Sequence, residues 1–186
     1  MKRHVTLCLI NSSPQVMSPE QFTGMVNSVK NKLFRFAYTI TGEREEAEDV
    51  VQDVLLKTWD RRHLLGEIQN FEAWCMRLVK NRSLERIRYN NTRRSSDLST
   101  QLEVMSPLPN PETLSDSASK REILDTLMGK LSDKQRQILH LREVEGYAYQ
   151  EIADLLGIEL STLKVELHRA RKKMQTMILN AFEYEY

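Results

Sequence analysis

Read from residue 18 onward, apolar residues recur every three or four positions in several separated runs, the period of amphipathic helices rather than of strands. Ser18-Pro19-Glu20-Gln21 opens the first run with a capping serine, a proline at the first helical position and a glutamine placed to close a capping box. Phe22, Val26, Val29, Leu33, Phe36, Ala37 and Ile40 then share one face, and Gly42 ends it. A second helix is predicted from about Glu43 to Asp60, burying Ala47, Val50, Val51, Val54, Leu55 and Trp59. Residues 61–70 read as a polar connecting loop, with Gly66 inside it and Asn70 as the cap of a third helix. That helix runs from Phe71 to about Tyr89 and buries Phe71, Trp74, Cys75, Leu78 and Val79. Three helices around one apolar centre predict a first domain over residues 18–89.

From Asn90 to Ser119 the composition turns to Ser, Thr, Asn and Pro, including Pro107, Pro109 and Pro111, which predicts a flexible linker over 90–119. Leu98, Leu102, Val104 and Leu108 give it apolar points able to dock. Helical patterning resumes near Lys120 with Ile123, Leu124, Leu127 and Leu131. Ser132 and Gln135 predict another capping box, ahead of a helix with Ile138, Leu141 and Val144 inward and Gly146 at its end. Residues 147–173 then read as two helices around a tight glycine turn, a helix-turn-helix. Ile152, Ala153, Leu155 and Leu156 face inward, Gly157 supplies the turn at positive φ, and Ser161 is placed as the cap of the second helix. Leu163, Leu167 and Ala170 repeat at helical spacing. The predicted fold class is all-α: two small helical domains joined by a flexible linker, the C-terminal one (120–180) a helix-turn-helix domain, with a flexible leader over 1–17.

Charge changes this picture by dividing it. The net charge of +1 and pI near 7.8 are not those of a uniformly basic DNA binder. Residues 43–53 carry six acids against Arg44 alone, whereas residues 77–94 carry seven Lys/Arg against Glu85 alone. Residues 143–159 carry five acids and no Lys or Arg, and residues 164–173 carry five Lys/Arg against Glu166. Such blocks imply separate surfaces for separate partners. The last is suited to lie against phosphates and reach base edges in a major groove. Asp49, Gln52 and Asp53 share one polar face of the second helix at steps of three and four. On the third helix and in the stretch before it, Trp59, Phe71, Trp74 and Tyr89 interleave with Arg77, Lys80, Arg82, Arg86 and Arg88, a composition able to stack unpaired bases and hold their backbone. Phe71 and Trp74 are assigned to the core and the cations to backbone binding.

Enzyme chemistry is not indicated. His4, His63, His140 and His168 show no metal-ligand spacing, and there is no phosphate-binding glycine loop or nucleophile elbow, so no metal, cofactor or catalytic residue is expected. Cys8 and Cys75 suggest neither a disulfide framework nor a metal site, and no stretch has the length of a bilayer span. A cytoplasmic protein without membrane insertion is expected.

Three segments in order, AEDVVQDVLLKTW (47–59), NFEAWCMRLVKNRSLERIR (70–88) and LSDKQRQILHLREVEGYAYQEIADLLGIELSTLKVELHRARKK (131–173), resemble an extracytoplasmic-function (ECF) sigma factor of bacterial RNA polymerase. The resemblance implies a region 2-like first domain and a region 4-like second domain. It implies a transcription initiation factor that reads the minus-35 element as duplex and captures the melted minus-10 strand. Asp49, Gln52 and Asp53 would meet the clamp helices of the largest polymerase subunit, with a further contact to the flap of the second-largest. Arg61, Arg62, His63, Asn70, Arg77, Lys80, Asn81, Arg82 and Arg88 would hold the single strand. Ser161, Thr162, Lys164, Val165, His168 and Arg169 would face the duplex, with Arg171 and Lys172 toward phosphate. A membrane-anchored anti-sigma factor is a further implied partner. The sequence departs from the pattern at Glu166, where relatives commonly carry Arg, and at Cys75, where they carry Leu. The competing expectation is a dimeric helix-turn-helix regulator of duplex operators, which gives the acidic and basic helices of the first domain no task.

Overall fold

Helix α1 (Pro19–Thr41) starts at the expected capping box: the Ser18 backbone N–H donates to Gln21 Oε1 at 3.0 Å, and the Gln21 backbone N–H donates to Ser18 Oγ at 3.3 Å. Gly42 ends it at φ 76°, a left-handed conformation that glycine adopts without a side-chain penalty. The computed structural model describes residues 17–96 and 117–182. The expected leader, apart from Met17, and most of the expected linker, with its four docking residues, therefore lie outside the described residues.

Val29, Leu33, Phe36, Ala37 and Ile40 of α1 are buried against α2 (Arg44–Asp60) and α3 (Phe71–Ser96), which contribute Ala47, Val50, Val51, Val54, Cys75, Met76 and Val79. Burial pushes the Cys75 thiol up to about 12, so it behaves as a small apolar filler. Residues 61–70 are not an open loop: a 3-10 helix over Arg62–Glu67 is pinned by the buried Leu65. Helix α3 continues seven residues past Tyr89. The polar composition there marks the loss of a buried face rather than the end of the helix, and Asn90 donates to Glu46 Oε1 at 3.2 Å from this extension.

The second half comprises α4 (Ser117–Gly129), α5 (Asp133–Leu139), a π-helical turn over His140–Val144, α6 (Tyr149–Leu156) and α7 (Leu160–Phe182). Ser132 caps α5, but the Gln135 side chain reaches Glu166 instead of closing the box. The π turn, closed by the Glu145 N–H on the His140 carbonyl at 3.2 Å, shifts the helical register and leaves Val144 56% exposed, against the inward expectation. Leu124 of α4 is also exposed, while Ile123, Leu127 and Leu131 hold that helix. Helix α7 begins at Leu160, so Ser161 stands in its first turn and not at its cap. No strand occurs among the described residues.

The two halves do not stand apart. Their buried apolar residues form one continuous cluster, with α1 against α5 and α3 against α6. His140 lies at this seam, stacked on Phe36 with centroids 6.1 Å apart, its Nδ1 3.0 Å from Thr39 Oγ1. Burial lowers its pKa, opposed by the Glu145 carboxylate and assisted by Arg35. The unfolded chain takes up a proton on this ring near its ordinary value of about 6.5, the folded chain only at lower pH. Stability contributed here is thus intact above about pH 6.5 and lost as pH falls toward the folded-state pKa. Thermal melting at pH 7.5 and 5.5 is expected to show a smaller acid-induced drop for His140→Gln than for the wild type. Equal drops would place the acid sensitivity elsewhere.

Candidate nucleic-acid interface

The helix-turn-helix is held from beneath by Ile152, Ala153 and Leu155 of α6 and by Leu163, Leu167, Ala170 and Met174 of α7. Gly157 links them at φ 69°, where its N–H donates to the Ala153 carbonyl at 2.8 Å. This packing turns Ser161, Thr162, Lys164, Val165, His168, Arg169 and Lys172 to solvent along α7. Arg171, also exposed, donates through Nε to Glu143 Oε1 at 3.0 Å, which raises its pKa and anchors it to the π turn.

Glu166, the one acid in the cationic stretch, has a side chain only 19% exposed. It accepts from Gln135 Nε2 at 3.0 Å and from Arg169 Nη1 at 3.1 Å, tying α7 to α5 and steadying Arg169. Glu166→Arg is therefore expected to lose about 1–2 kcal/mol of stability, since these are bonds to a charged acceptor that is partly solvated. Non-specific DNA affinity should rise while the preferred hexamer stays the same. Selection from a random duplex library measures this, and a changed hexamer would make Glu166 a base reader.

In the first half, Asp49, Gln52 and Asp53 do share a face of α2, with the Asp49 and Asp53 side chains 58% and 39% exposed. The basic face of α3 is not separate from it. Arg82 Nε donates to Asp53 Oδ2 at 2.9 Å, and Arg86 bonds Glu46 and, at 3.1 Å, Asp49 Oδ2. These carboxylates raise the pKa of both guanidiniums. The acidic and basic blocks, expected to form surfaces for different partners, meet as a ladder of ion pairs between α2 and α3.

The remaining single-strand candidates fall into two groups. Arg61, His63, Arg77, Asn81 and Arg88 face solvent. The others are engaged within the fold. Asn70 Oδ1 accepts the Ala73 N–H at 2.9 Å and caps α3, and Arg62 lies 4.3 Å over the Trp59 ring. Lys80 Nζ donates to the carbonyls of Leu155 and Leu156, and burial, with Arg77 nearby, lowers its pKa.

Periodicity also placed Leu55 and Trp59 in the core, whereas both line an apolar groove between α1 and α2 of about 570 Å³, with Phe22, Phe34, Val51 and Leu56. Leu56, 57% exposed, was its one signal in the sequence: a leucine one step off the buried stripe. Among the described residues no cluster of three or more His, Cys, Asp or Glu could hold a metal ion, and no helix is long and apolar enough to cross a membrane.

Residues 25–93 match the family described as Sigma-70 region 2, and residues 121–174 match Sigma-70, region 4. The ECF RNA polymerase sigma factor SigE of Mycolicibacterium smegmatis is 26% identical over 157 residues, covering 81% of this chain. SigW of Bacillus subtilis, also an ECF RNA polymerase sigma factor, is 23% identical over 167 residues, covering 86% of this chain. The chain spans 59% of the length of SigE and 89% of that of SigW. Among solved structures, the sigma factor RpoE in complex with the anti-sigma factor NepR from Bartonella quintana shares the fold, with a TM-score of 0.68 at 23% identity over 86% of this chain and 97% of that one. With α1–α3 matched as region 2, α4–α7 as region 4, and relatives named as ECF sigma factors aligned across both, the chain belongs to the sigma-70 family and is similar to its ECF members.

Proposed function

We propose that this protein is a transcription initiation factor that binds core RNA polymerase and directs it to promoters. The observation that carries the reading is the presence on one chain of a solvent-facing cationic recognition helix and, on the other half, an acidic α2 face beside a basic α3. Lys164, Val165, His168 and Arg169, with Ser161 and Thr162 at the helix start, read the minus-35 duplex, and Lys172 and Arg171 hold phosphate. Arg61, His63, Arg77, Asn81 and Arg88, with Lys80 and Arg82 once released from their internal partners, hold the non-template strand of the melted minus-10 element. The 3-10 helix with Arg62, set by the Asn70 cap, shapes the pocket for a flipped base. Asp49, Gln52 and Asp53 meet the clamp helices of the largest polymerase subunit, and the second half meets the flap of the second-largest. Residues 18–89 and 120–180 act as the two functional domains and 90–119 as the linker between them. Catalysis belongs to the polymerase, the site of action is the cytoplasm, and an anti-sigma factor, as in the RpoE–NepR complex, is a fitting inhibitor.

The test is association with purified core polymerase by size-exclusion chromatography. Co-migration as a one-to-one complex, from a free protein that elutes as a monomer, is expected. A stable dimer that binds duplex DNA and ignores core polymerase would instead identify an operator-binding regulator.

A further inference from the structure

The apolar groove between α1 and α2 begins where the first described helix begins. Pro19, Phe22 and Trp59 line its near end, the two rings meeting edge to face with centroids 5.1 Å apart. Phe34 and Glu48 line its far end, where Arg44 lies 5.9 Å over the Phe34 ring. The fifteen helical steps from Pro19 to Phe34 give the groove a length of about 22 Å. Leu56, 57% exposed, stands between the two ends, and Asn31 and Gln52 are exposed lining residues. The chain before Ser18 reads Lys2-Arg3-His4, then Val5-Thr6-Leu7-Cys8-Leu9-Ile10, then Asn11-Ser12-Ser13-Pro14. That is a cationic stretch, an alternating apolar run and a set of turn-forming residues.

We infer that residues 5–10 dock extended in this groove, antiparallel to α1, and shield Gln52 from polymerase until they are displaced. Six extended residues span about 20 Å, close to the length of the groove. Alternation sends Val5, Leu7 and Leu9 to one side, toward Phe34, Leu55 and Leu56, and leaves Thr6 and Cys8 on the solvent side. Asn11 to Pro14 supply the reversal that a strand lying back along α1 needs. With the run seated so, Lys2 and Arg3 come to the acidic start of α2, where Glu45 and Glu48 continue the stripe of Gln52, Leu55 and Trp59 at steps of three and four. Arg44, paired with Glu48 at 2.8 Å, and Lys30 in the groove lining are the opposing cations. The side-chain amides of Asn31 and Gln52 can bond the backbone of the strand, and its outer edge stays hydrated. Residues 11–17 tether the run to the near end of the groove at an effective concentration on the order of millimolar, which favours this occupant over a second copy. The shielding rests on the reading of Asp49, Gln52 and Asp53 as the polymerase-facing residues, since Gln52 belongs both to them and to the groove.

Cys8 takes the probe without any substitution, because the other cysteine, Cys75, is buried with its thiol pushed up to about 12. A nitroxide is attached to Cys8 of the full isotope-labelled chain, and amide signals are compared before and after reduction of the label. The expected result is loss of most of the intensity at Thr23, Asn31, Gln52 and Leu56 while the label is paramagnetic, with Lys164 and His168 of α7 unaffected. Leu7→Ser with Leu9→Ser, and separately Leu56→Ser, should each restore the groove signals; Leu56 is exposed, so its change leaves the buried stripe of α2 intact. In fluorescence titration the Leu7→Ser, Leu9→Ser chain should bind core polymerase at least about threefold more tightly than the wild type, in proportion to the freed fraction. Groove signals that do not respond to reduction of the label overturn the docking. So does broadening that arises between a spin-labelled chain and a separate isotope-labelled chain mixed with it, which gives the groove to a second copy. Docking with unchanged core affinity overturns the shielding. The nitroxide readout involves no polymerase, so a chain that docks its own strand and never binds core would defeat the sigma reading alone.

Discussion

Reversing Asp49 and Asp53 together to lysine is expected to weaken binding to core polymerase at least about tenfold, equivalent to about 1.4 kcal/mol. Both carboxylates reach solvent beside Gln52, and a like-charge clash with a partner that expects acids adds to the loss of attraction. The same acids hold Arg82 and Arg86, so the reversal also crowds four cations between α2 and α3 and should lower the melting temperature. Asp49→Asn with Asp53→Asn separates the two effects: charge is removed without repulsion, and most of the affinity loss should persist while the fold recovers. Fluorescence titration of labelled protein with core polymerase measures this. Unchanged affinity in both variants would take the α2 face out of the mechanism.

Exchanging residues 61–70 for the corresponding segment of a relative is expected to change preference at one minus-10 base by about tenfold while sparing core binding and minus-35 preference. The size follows from the few kcal/mol at stake in unstacking and holding a flipped base. The geometry sets a condition on the exchange. Leu65 anchors the 3-10 helix and Asn70 caps α3, so the incoming segment must keep an apolar residue and a capping residue at those positions. Transcription from a promoter library randomised at the minus-10 element gives the readout. An active exchange variant with every minus-10 preference intact would make 61–70 a connector and place melting specificity on α3 itself.

What the sequence disclosed was local. Ser18 with Gln21, Gly42 and Gly157 announced helix ends through interactions spanning three to five residues, and the structure has each where the pattern put it. The inward stripe of α7 was equally plain, because an unbroken helix keeps its period. Where the period broke, the reading failed: one π turn after Leu139 moved Val144 to the surface, and nothing in the residue types marks that turn. The long-range pairs were hidden for a different reason. The candidate cations were found by type and spacing, but whether a guanidinium faces solvent or a carboxylate is decided by a neighbouring helix. Arg82 therefore looked as free as Arg77. The closure of the two halves through Arg35 and Glu145, 110 residues apart, had no counterpart in any local pattern.

Whether this chain confers promoter selection on core polymerase is read out by run-off transcription from genomic promoter fragments with purified core. Discrete run-off products are expected that need both the protein and core, and that disappear when either the minus-35 or the minus-10 element of the template is scrambled. Tight binding to promoter DNA with no transcript above that of core alone would contradict it.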